Sequence, residues 1–477
     1  MNAVASFYWH DYETFGANPA LDRPVQFAGL RTDANLDEVG EPLVVYCQPT
    51  PDCLPHPDAC LITGITPQIA LAKGIPEYQF IERVHAELAT PGTCGVGYNS
   101  IRFDDEVTRY TLYRNFYDPY AREWQNQNSR WDLIDVMRMA RALRPEGFEW
   151  PDYESGTPSF RLEDLSRANG IEHTNAHDAL ADVRATVALA RKLREKQRRL
   201  FDWALKARDK RWVSQQLNLI DAKPMLHFSS KFGPEHGKAG VVVPLAISQT
   251  NQNAVICCNL LEDPSALAAL SADELREVLF MRRDQRRDTT PVVPLKQVMV
   301  NKSPMLAPVS MLEGGVAGRL RIDVNLVKER YQQVMAINGL QDKLKSLFAF
   351  EGVGPADVDS ALYGGFLRDR DRALCEAVRA ARPDELARLA GQFTDPRLPE
   401  LLFRYRARHF PETLSADERA TWCEYIAMKM HMGAFNLAAY RARIQTLREE
   451  RAADADAQSI LSDLDDYGQQ LERAFAA

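Results

Sequence analysis

Phe7-Tyr8-Trp9-His10-Asp11-Tyr12-Glu13-Thr14-Phe15-Gly16 is the stretch on which the fold turns. Its aromatic run predicts a strand over 7–12. Residues two apart on a strand share a face, with Cα atoms about 6.6 Å apart, so Asp11 and Glu13 would project together. Two carboxylates held that way can converge on one hard divalent cation such as Mg²⁺, which takes oxygen ligands. The plain alternative is a solvated strand end. Against it, the surrounding run is aromatic and apolar, where two acids on one face are costly without a counter-charge. Alone, Asp-x-Glu is a weak signal.

Outward from this strand the first two hundred residues alternate between strand and helix patterns. Strands are expected at 25–32, 43–47 and 93–98. Helices are expected at 76–88, where Pro76 can occupy the first turn, and at 104–116, 132–143, 161–168 and 178–199. That order implies a mixed sheet with helices packed against it. From about Trp203 the texture changes. Short apolar runs broken by Pro and Gly, at 239–247, 254–260 and 292–300, predict a small antiparallel β domain, with a helix at 271–283. Beyond about Gly354 the chain, rich in Ala, Leu, Arg and Glu, reads as helical to its end. The expected domains are therefore 1–200, 201–353 and 354–477.

A chain of 477 residues exceeds one ordinary core. With 45% hydrophobic and 26% charged residues it belongs among folded proteins rather than disordered ones. No apolar run is long enough to span a bilayer, and His10, Asp11 and Glu13 do not suit a secretory leader; a cytoplasmic location is expected. The eight cysteines form no Cys-x-x-Cys pair, so neither a zinc ribbon nor a disulfide framework is indicated. Cys257 and Cys258 read as strand residues packing on opposite faces. The net charge of −8 averages over very different surfaces. Residues 191–211 hold ten Lys or Arg against three Asp or Glu. Arg282, Arg283, Arg286 and Arg287 make a second basic cluster, and Arg404, Arg406 and Arg408 a third. A basic track on an acidic protein is compatible with a phosphate backbone, although each run alone reads first as a solvated helix face.

Two further elements carry chemistry. Asp104 stands in G-Y-N-S-I-R-F-D-D-E, after the expected strand; it or Asp105 reads equally as the N-cap of the next helix. In H-D-A-L-A-D, residues 177–182, Asp178 reads as an N-cap and Asp182 lies one turn on. His177 precedes the helix on a segment that can be aimed separately, which suits a general base and also an ordinary surface histidine.

Each element alone has a bland explanation. In this order, however, Asp-x-Glu, then Phe-Asp about ninety residues on, then His-x-x-x-x-Asp on a late helix resemble the DEDD superfamily of 3′–5′ exonucleases, the histidine marking its DEDDh branch. The runs H-D-Y-E-T-F-G, A-L-D-R-P, L-I-T-G-I-T-P-Q, R-F-D-D-E-V-T-R, Y-R-N-F-Y-D-P-Y, N-S-R-W-D-L, L-R-P-E-G, P-S-F-R-L-E, A-N-G-I-E-H, N-K-S-P-M-L-A and L-L-F-R-Y-R-A-R resemble bacterial exonuclease I over nearly the whole chain. That resemblance implies a ribonuclease H-like exonuclease domain, an SH3-like β domain and an all-helical C-terminal domain. It implies two Mg²⁺ ions, for which Mn²⁺ can substitute, held by Asp11, Glu13 and Asp182. Asp104 completes the acidic cluster and His177 acts as general base. The implied activity is stepwise hydrolysis of single-stranded DNA to 5′-mononucleotides in repair and recombination. The alternatives are an exoribonuclease and a catalytically silent strand-binding clamp.

For the strand itself, the resemblance assigns Arg161 to the terminal phosphate and 62–66 to the last base and sugar. Glu13, Arg109, Tyr120, Trp124 and Arg138 are further expected contacts, with Tyr363, Phe366 and Arg370 in the helical part. The expected partner, besides single-stranded DNA, is the acidic tail of single-stranded DNA-binding protein, docking near Arg144 and Trp203 on a monomer. Pro308 and Glu313 stand where the family pattern has glutamine and arginine. Binding is therefore expected to be weaker and to rely on Arg319 or Arg321.

Overall fold

The computed structural model describes residues 4–172, 178–345, 347–348, 357–433 and 435–475. The chain forms two compact units, one of residues 4–129, 173–184 and 353–477, the other of 1–3, 130–172 and 185–352.

In the first unit β1 (Ser6–Thr14) is central. It pairs antiparallel with β2 (Pro24–Asp33), which pairs antiparallel with β3 (Leu43–Tyr46), and parallel with β4 (Thr93–Gly97). The sheet is therefore mixed, as expected. A parallel partner needs a crossover, and the helix Glu77–Leu88 lies in that connection. Its Phe80, Ile81, Val84 and Leu88 pack on Tyr8, Tyr12 and Phe27 of the sheet. Gly97 ends β4 where a Cβ would come within 2.9 Å of the His10 carbonyl and 2.6 Å of Ser100 Cβ. Only glycine lets the chain turn so close to the residue before Asp11. β5 (Ser129–Asp132) starts in this unit and leads into the other.

The helical C-terminal segment belongs to the same unit. Phe15 and Val25 share a core with Leu437, Tyr440, Ile444 and Leu461. Beside it lies a buried ionic cluster. Arg408 reaches Asp52 at 2.7 Å and Asp359 at 2.5 Å, and Arg23 reaches Asp52 at 3.3 Å. Burial alone would raise Asp52, but Arg408 and Arg23 hold it well below the usual carboxylate range.

In the second unit five antiparallel strands run in the order β10-β6-β7-β8-β9: β6 (Met225–Phe228), β7 (Ala239–Ile247), β8 (Ala254–Asn259), β9 (Leu295–Met299) and β10 (Met305–Pro308). Cys257 and Cys258 on β8 are both fully buried, as packing residues should be. The helix expected over 178–199 ends at Lys196, and a new one runs Arg198–Ala204. Between them Gln197 leaves helical geometry (φ −133°, ψ 51°) and donates from its amide to the Glu146 carbonyl at 2.8 Å. No described helix is long and apolar enough to cross a membrane.

Candidate active site

The first unit assembles a cluster of carboxylates. Asp11 and Glu13 lie opposite Ala28 and Gln26 on β2, and the register shifts immediately after Glu13. Such a bulge re-aims a strand end. Asp182 comes from the first turn of the helix Ala179–Lys196. Asp178 caps that helix as expected, its carboxylate accepting from Leu180 N at 3.0 Å. Carboxylate oxygens of Asp11, Glu13 and Asp182 all lie within 4.8 Å of one another.

Asp104 is brought to the same place by a different route. It is the first residue of the helix Asp104–Arg114, whose N-cap position falls to Phe103. Its Oδ1 accepts from the backbone N–H of Tyr12 at 3.0 Å. The neighbouring Asp105 is turned away to Arg122, at 2.5 Å.

The electrostatics follow from this crowding. Burial first, then Asp104, Glu13 and Asp182, push Asp11 well above the usual carboxylate range. Burial, then Asp182, Asp104 and Asp178, raise Glu13 to about 8. Like charges taken out of water cannot all ionise together. A hard divalent cation would relieve this, and an all-oxygen donor set suits Mg²⁺ or Mn²⁺. The residues present therefore fit a metal. His177 lies outside the described residues.

The expected strand contacts divide into two groups. Trp124 is exposed, 65% of its surface facing solvent, and Tyr120 is half-buried. Arg161, in the second unit, is exposed and stacks over Tyr153 at 5.6 Å. Arg109 and Arg138 are both buried and paired. Arg109 grips Glu123 through two bonds of 2.7 and 2.8 Å, and also meets Glu106 and Tyr363 Oη. Its guanidinium lies 5.2 Å from the Tyr120 ring, and Tyr363 in turn donates to Glu106. Arg109 therefore positions aromatic rings. Arg138 is paired with Asp135 and stacks over Phe160 at 5.5 Å. Arg370, expected beside Tyr363 and Phe366, is exposed, as both those rings are. Of residues 62–66, expected as a loop, Ile62 and Thr63 instead end the helix Pro57–Thr63; Gly64 follows in the left-handed conformation (φ 69°), Ile62 is exposed and Thr66 caps the next helix.

Sequence reading missed Glu106, Glu123 and the Asp105–Arg122 pair. The three-residue spacing of Glu106 and Arg109 on a helix was the one local signal for them.

The second unit gathers the expected partner residues. Trp203 donates from its indole to the Leu306 carbonyl at 2.7 Å and packs edge-on against Trp212. The helix Leu133–Leu143 ends at Arg144, which is exposed. Arg319, also exposed, donates to the carbonyls of Ala142 and Leu143 at 3.0 and 3.4 Å. The two arginines thus meet at one helix end, whose carbonyls favour cations. Glu313 is exposed.

Comparison with known proteins gives three family matches: an exonuclease family over residues 8–190, an exonuclease I SH3-like domain over 208–350 and an exonuclease I C-terminal domain over 356–471. The chain is 45% identical to exodeoxyribonuclease I of Escherichia coli over 469 residues, covering 98% of each. Among solved structures it resembles E. coli exonuclease I in complex with a dA16 oligonucleotide, at 44% identity and TM-score 0.94, covering 98% of this chain and 100% of that one. The zinc-bound form of the E. coli complex with single-stranded DNA matches at 44% identity and 0.93, and SSB/exonuclease I with an inhibitor at 44% and 0.92; each covers 98% of this chain and 99% of the other.

Proposed function

The chain belongs to the exodeoxyribonuclease I family, and from that footing we propose that it is a divalent-metal-dependent 3′–5′ exonuclease of single-stranded DNA. The observation that carries this reading is the meeting of Asp11, Glu13 and Asp182 within 4.8 Å, in a chain that matches its E. coli relative over 98% of its length. The three parts divide near residues 200 and 354, which the family matches support.

Asp11, Glu13 and Asp182 would hold two Mg²⁺ ions, with Mn²⁺ able to substitute; when bound, they would supply Lewis acidity at the scissile phosphate. Asp104 adds a fourth carboxylate and fixes β1 from behind through Tyr12 N. His177 takes the proton of the attacking water, a role that a near-neutral imidazole suits. The products are 5′-mononucleotides. Arg161 holds the terminal phosphate, and residues 62–66 receive the last base and sugar. Exposed Trp124, Tyr363 and Phe366, with Tyr120, offer rings on which bases stack without regard to sequence.

The SSB-bound relative supports a second surface. Arg144 and Arg319, with the apolar side of Trp203, receive an acidic carboxylate-ended tail, and Arg319 replaces the cation that Glu313 does not supply. The protein works as a cytoplasmic monomer in DNA repair and recombination.

The test is end-labelled single-stranded DNA, duplex DNA and RNA, each with Mg²⁺ and with chelator. Stepwise shortening of single-stranded DNA from its 3′ end, abolished by chelator, is expected. Equal activity on blunt duplex, preference for RNA, or activity in chelator would each overturn the reading.

A further inference from the structure

The first unit contains a cavity of about 380 Å³ that shares no residue with the acidic cluster. Its wall comes from the end of the helix Glu77–Leu88, from residues 113–128 and from residues 362–397. Four arginines line it, Arg122, Arg372, Arg379 and Arg397, against two acids, Asp118 and Glu376. We propose that this cavity binds a free nucleoside monophosphate, its phosphate on Arg122 and Arg379 and its base on Phe366.

Arg122 is the most deeply buried of the four. It is 4% exposed, one guanidinium nitrogen is committed to Asp105 at 2.5 Å, and its Nε is buried without a hydrogen-bond partner. As a buried positive charge in the cavity's lining it favours an anion there. Arg379 is similarly unspent. It donates to the Phe116 carbonyl at 2.6 Å and lies over the Tyr117 ring at 4.2 Å, and no described carboxylate pairs with it. By contrast Arg397 is held by Asp395 and the Ala361 and Gly365 carbonyls. The Asp118 carboxylate accepts from Tyr120 N and Ala121 N, which moderates the charge that opposes an anion. His85 reports the field in the wall: burial, then Arg379 and Arg122, lower its pKa to about 4.

The second half of the ligand follows from Phe366. Its ring is 82% exposed yet sits edge-on to Tyr120 at 5.9 Å, leaving a face for a planar base. The volume lies at the small end of ligand pockets, about 300–1,000 Å³, which suits one nucleotide rather than a run of them. The identity of the ligand as a released nucleotide rests on the exonuclease reading above; the pocket chemistry does not. Arg122 also links the site to catalysis, since its partner Asp105 adjoins Asp104.

The experiment uses the full chain in chelator, so that the acidic cluster carries no metal, titrated calorimetrically with dTMP, inorganic phosphate and a single-stranded dT15. Saturable binding of one dTMP is expected. It should weaken roughly tenfold or more in Arg379→Glu, the loss of a charge-assisted contact, weaken in Phe366→Ala, and stay unchanged in Glu13→Gln. Both weakened positions are exposed, so neither change threatens the core. No binding by the wild type, or undiminished binding in Arg379→Glu, overturns the proposal. Phosphate binding as tightly as dTMP would remove the base from it. Binding of dT15 but not of dTMP, lost in Arg379→Glu, would make the cavity part of the strand's path instead. Cleavage with Mg²⁺ is measured on the same wild-type sample. A protein that cleaves but does not bind dTMP sinks the cavity alone.

Discussion

The backbone N–H of Tyr12 donates to Asp104 Oδ1 at 3.0 Å. The bond fastens β1 at the residue between Asp11 and Glu13, so one carboxylate both adds charge to the cluster and fixes the strand that carries two of its members.

These two duties separate by substitution. Asp104→Asn keeps an acceptor for Tyr12 N and loses the charge; Asp104→Ala loses both. Both variants should cleave about 10–100-fold more slowly, the usual cost of a group that orients metal ligands. Only Asp104→Ala should also lose stability, by about 1–3 kcal/mol for the unmet N–H. Thermal unfolding with chelator and single-turnover cleavage check this; equal unfolding temperatures would dissolve the distinction.

Metal-free stability should fall as pH rises. The unfolded chain releases the Glu13 proton near its ordinary value of 4.5, whereas the folded chain keeps it to about 8. The unfolded state therefore holds fewer protons between those limits, and stability declines with pH across them. Integrated between those limits, at about 1.4 kcal/mol per pH unit, the change is on the order of 5 kcal/mol. Glu13→Gln should flatten the decline, and saturating Mg²⁺ at the alkaline end should restore what was lost. Calorimetric scans over that pH range, with and without metal, decide it; a rising curve in chelator would contradict the crowding.

Arg109→Ala should destabilise by about 1–3 kcal/mol, because it removes the guanidinium's hydrogen bonds to the largely buried carboxylates of Glu123 and Glu106. It should also weaken affinity for single-stranded DNA, through the Tyr363 and Tyr120 rings it anchors, while leaving metal affinity intact. Unfolding and strand titration with chelator test the first two effects. A variant with full stability would mean that the cluster is worth no more than a surface pair.

For the acidic tail, Arg319→Ala and Arg144→Ala should each reduce affinity about fivefold, the scale of one exposed charge contact, and Glu313→Arg should raise it. Anisotropy of a labelled tail peptide reads all three. An Arg319→Ala variant that binds like wild type would deny that residue the replacement role.

The pairing of Asp11 with Glu13 was legible because strand period acts locally, placing residues two apart on one face of β1; Asp182 entered only through the family resemblance. Asp104 was ambiguous for the opposite reason. Its local setting offers an N-cap, and the bond that decides its role comes from 92 residues away. The pairing of Arg109 was hidden in the same way, since its partners Glu123 and Tyr363 lie 14 and 254 residues on. The strands β6 and β10, four residues each, are too short to show a period, and β10 ends at a proline. Their mutual pairing, Met305 opposite Phe228, is what makes them strands. The short helices Pro57–Thr63 and Pro67–Lys73 escaped because seven residues hardly complete one amphipathic repeat.

The ionic cluster of Arg23, Asp52, Asp359 and Arg408 changes what a truncation would mean. Asp52 belongs to the first two hundred residues, and its 2.7 Å partner Arg408 to the last hundred. A fragment ending near residue 200 would keep Asp52 and Arg23 but lose Arg408 and Asp359, and the apolar side chains of Leu437, Tyr440 and Leu461 with them. It would carry Asp11, Glu13, Asp104 and Asp182 and yet expose the Arg23–Asp52 pair where a core had been. Modularity visible along the gene is thus not modularity of the folded object: recombination could shuffle the pieces only by supplying, each time, a matching lock for the same key.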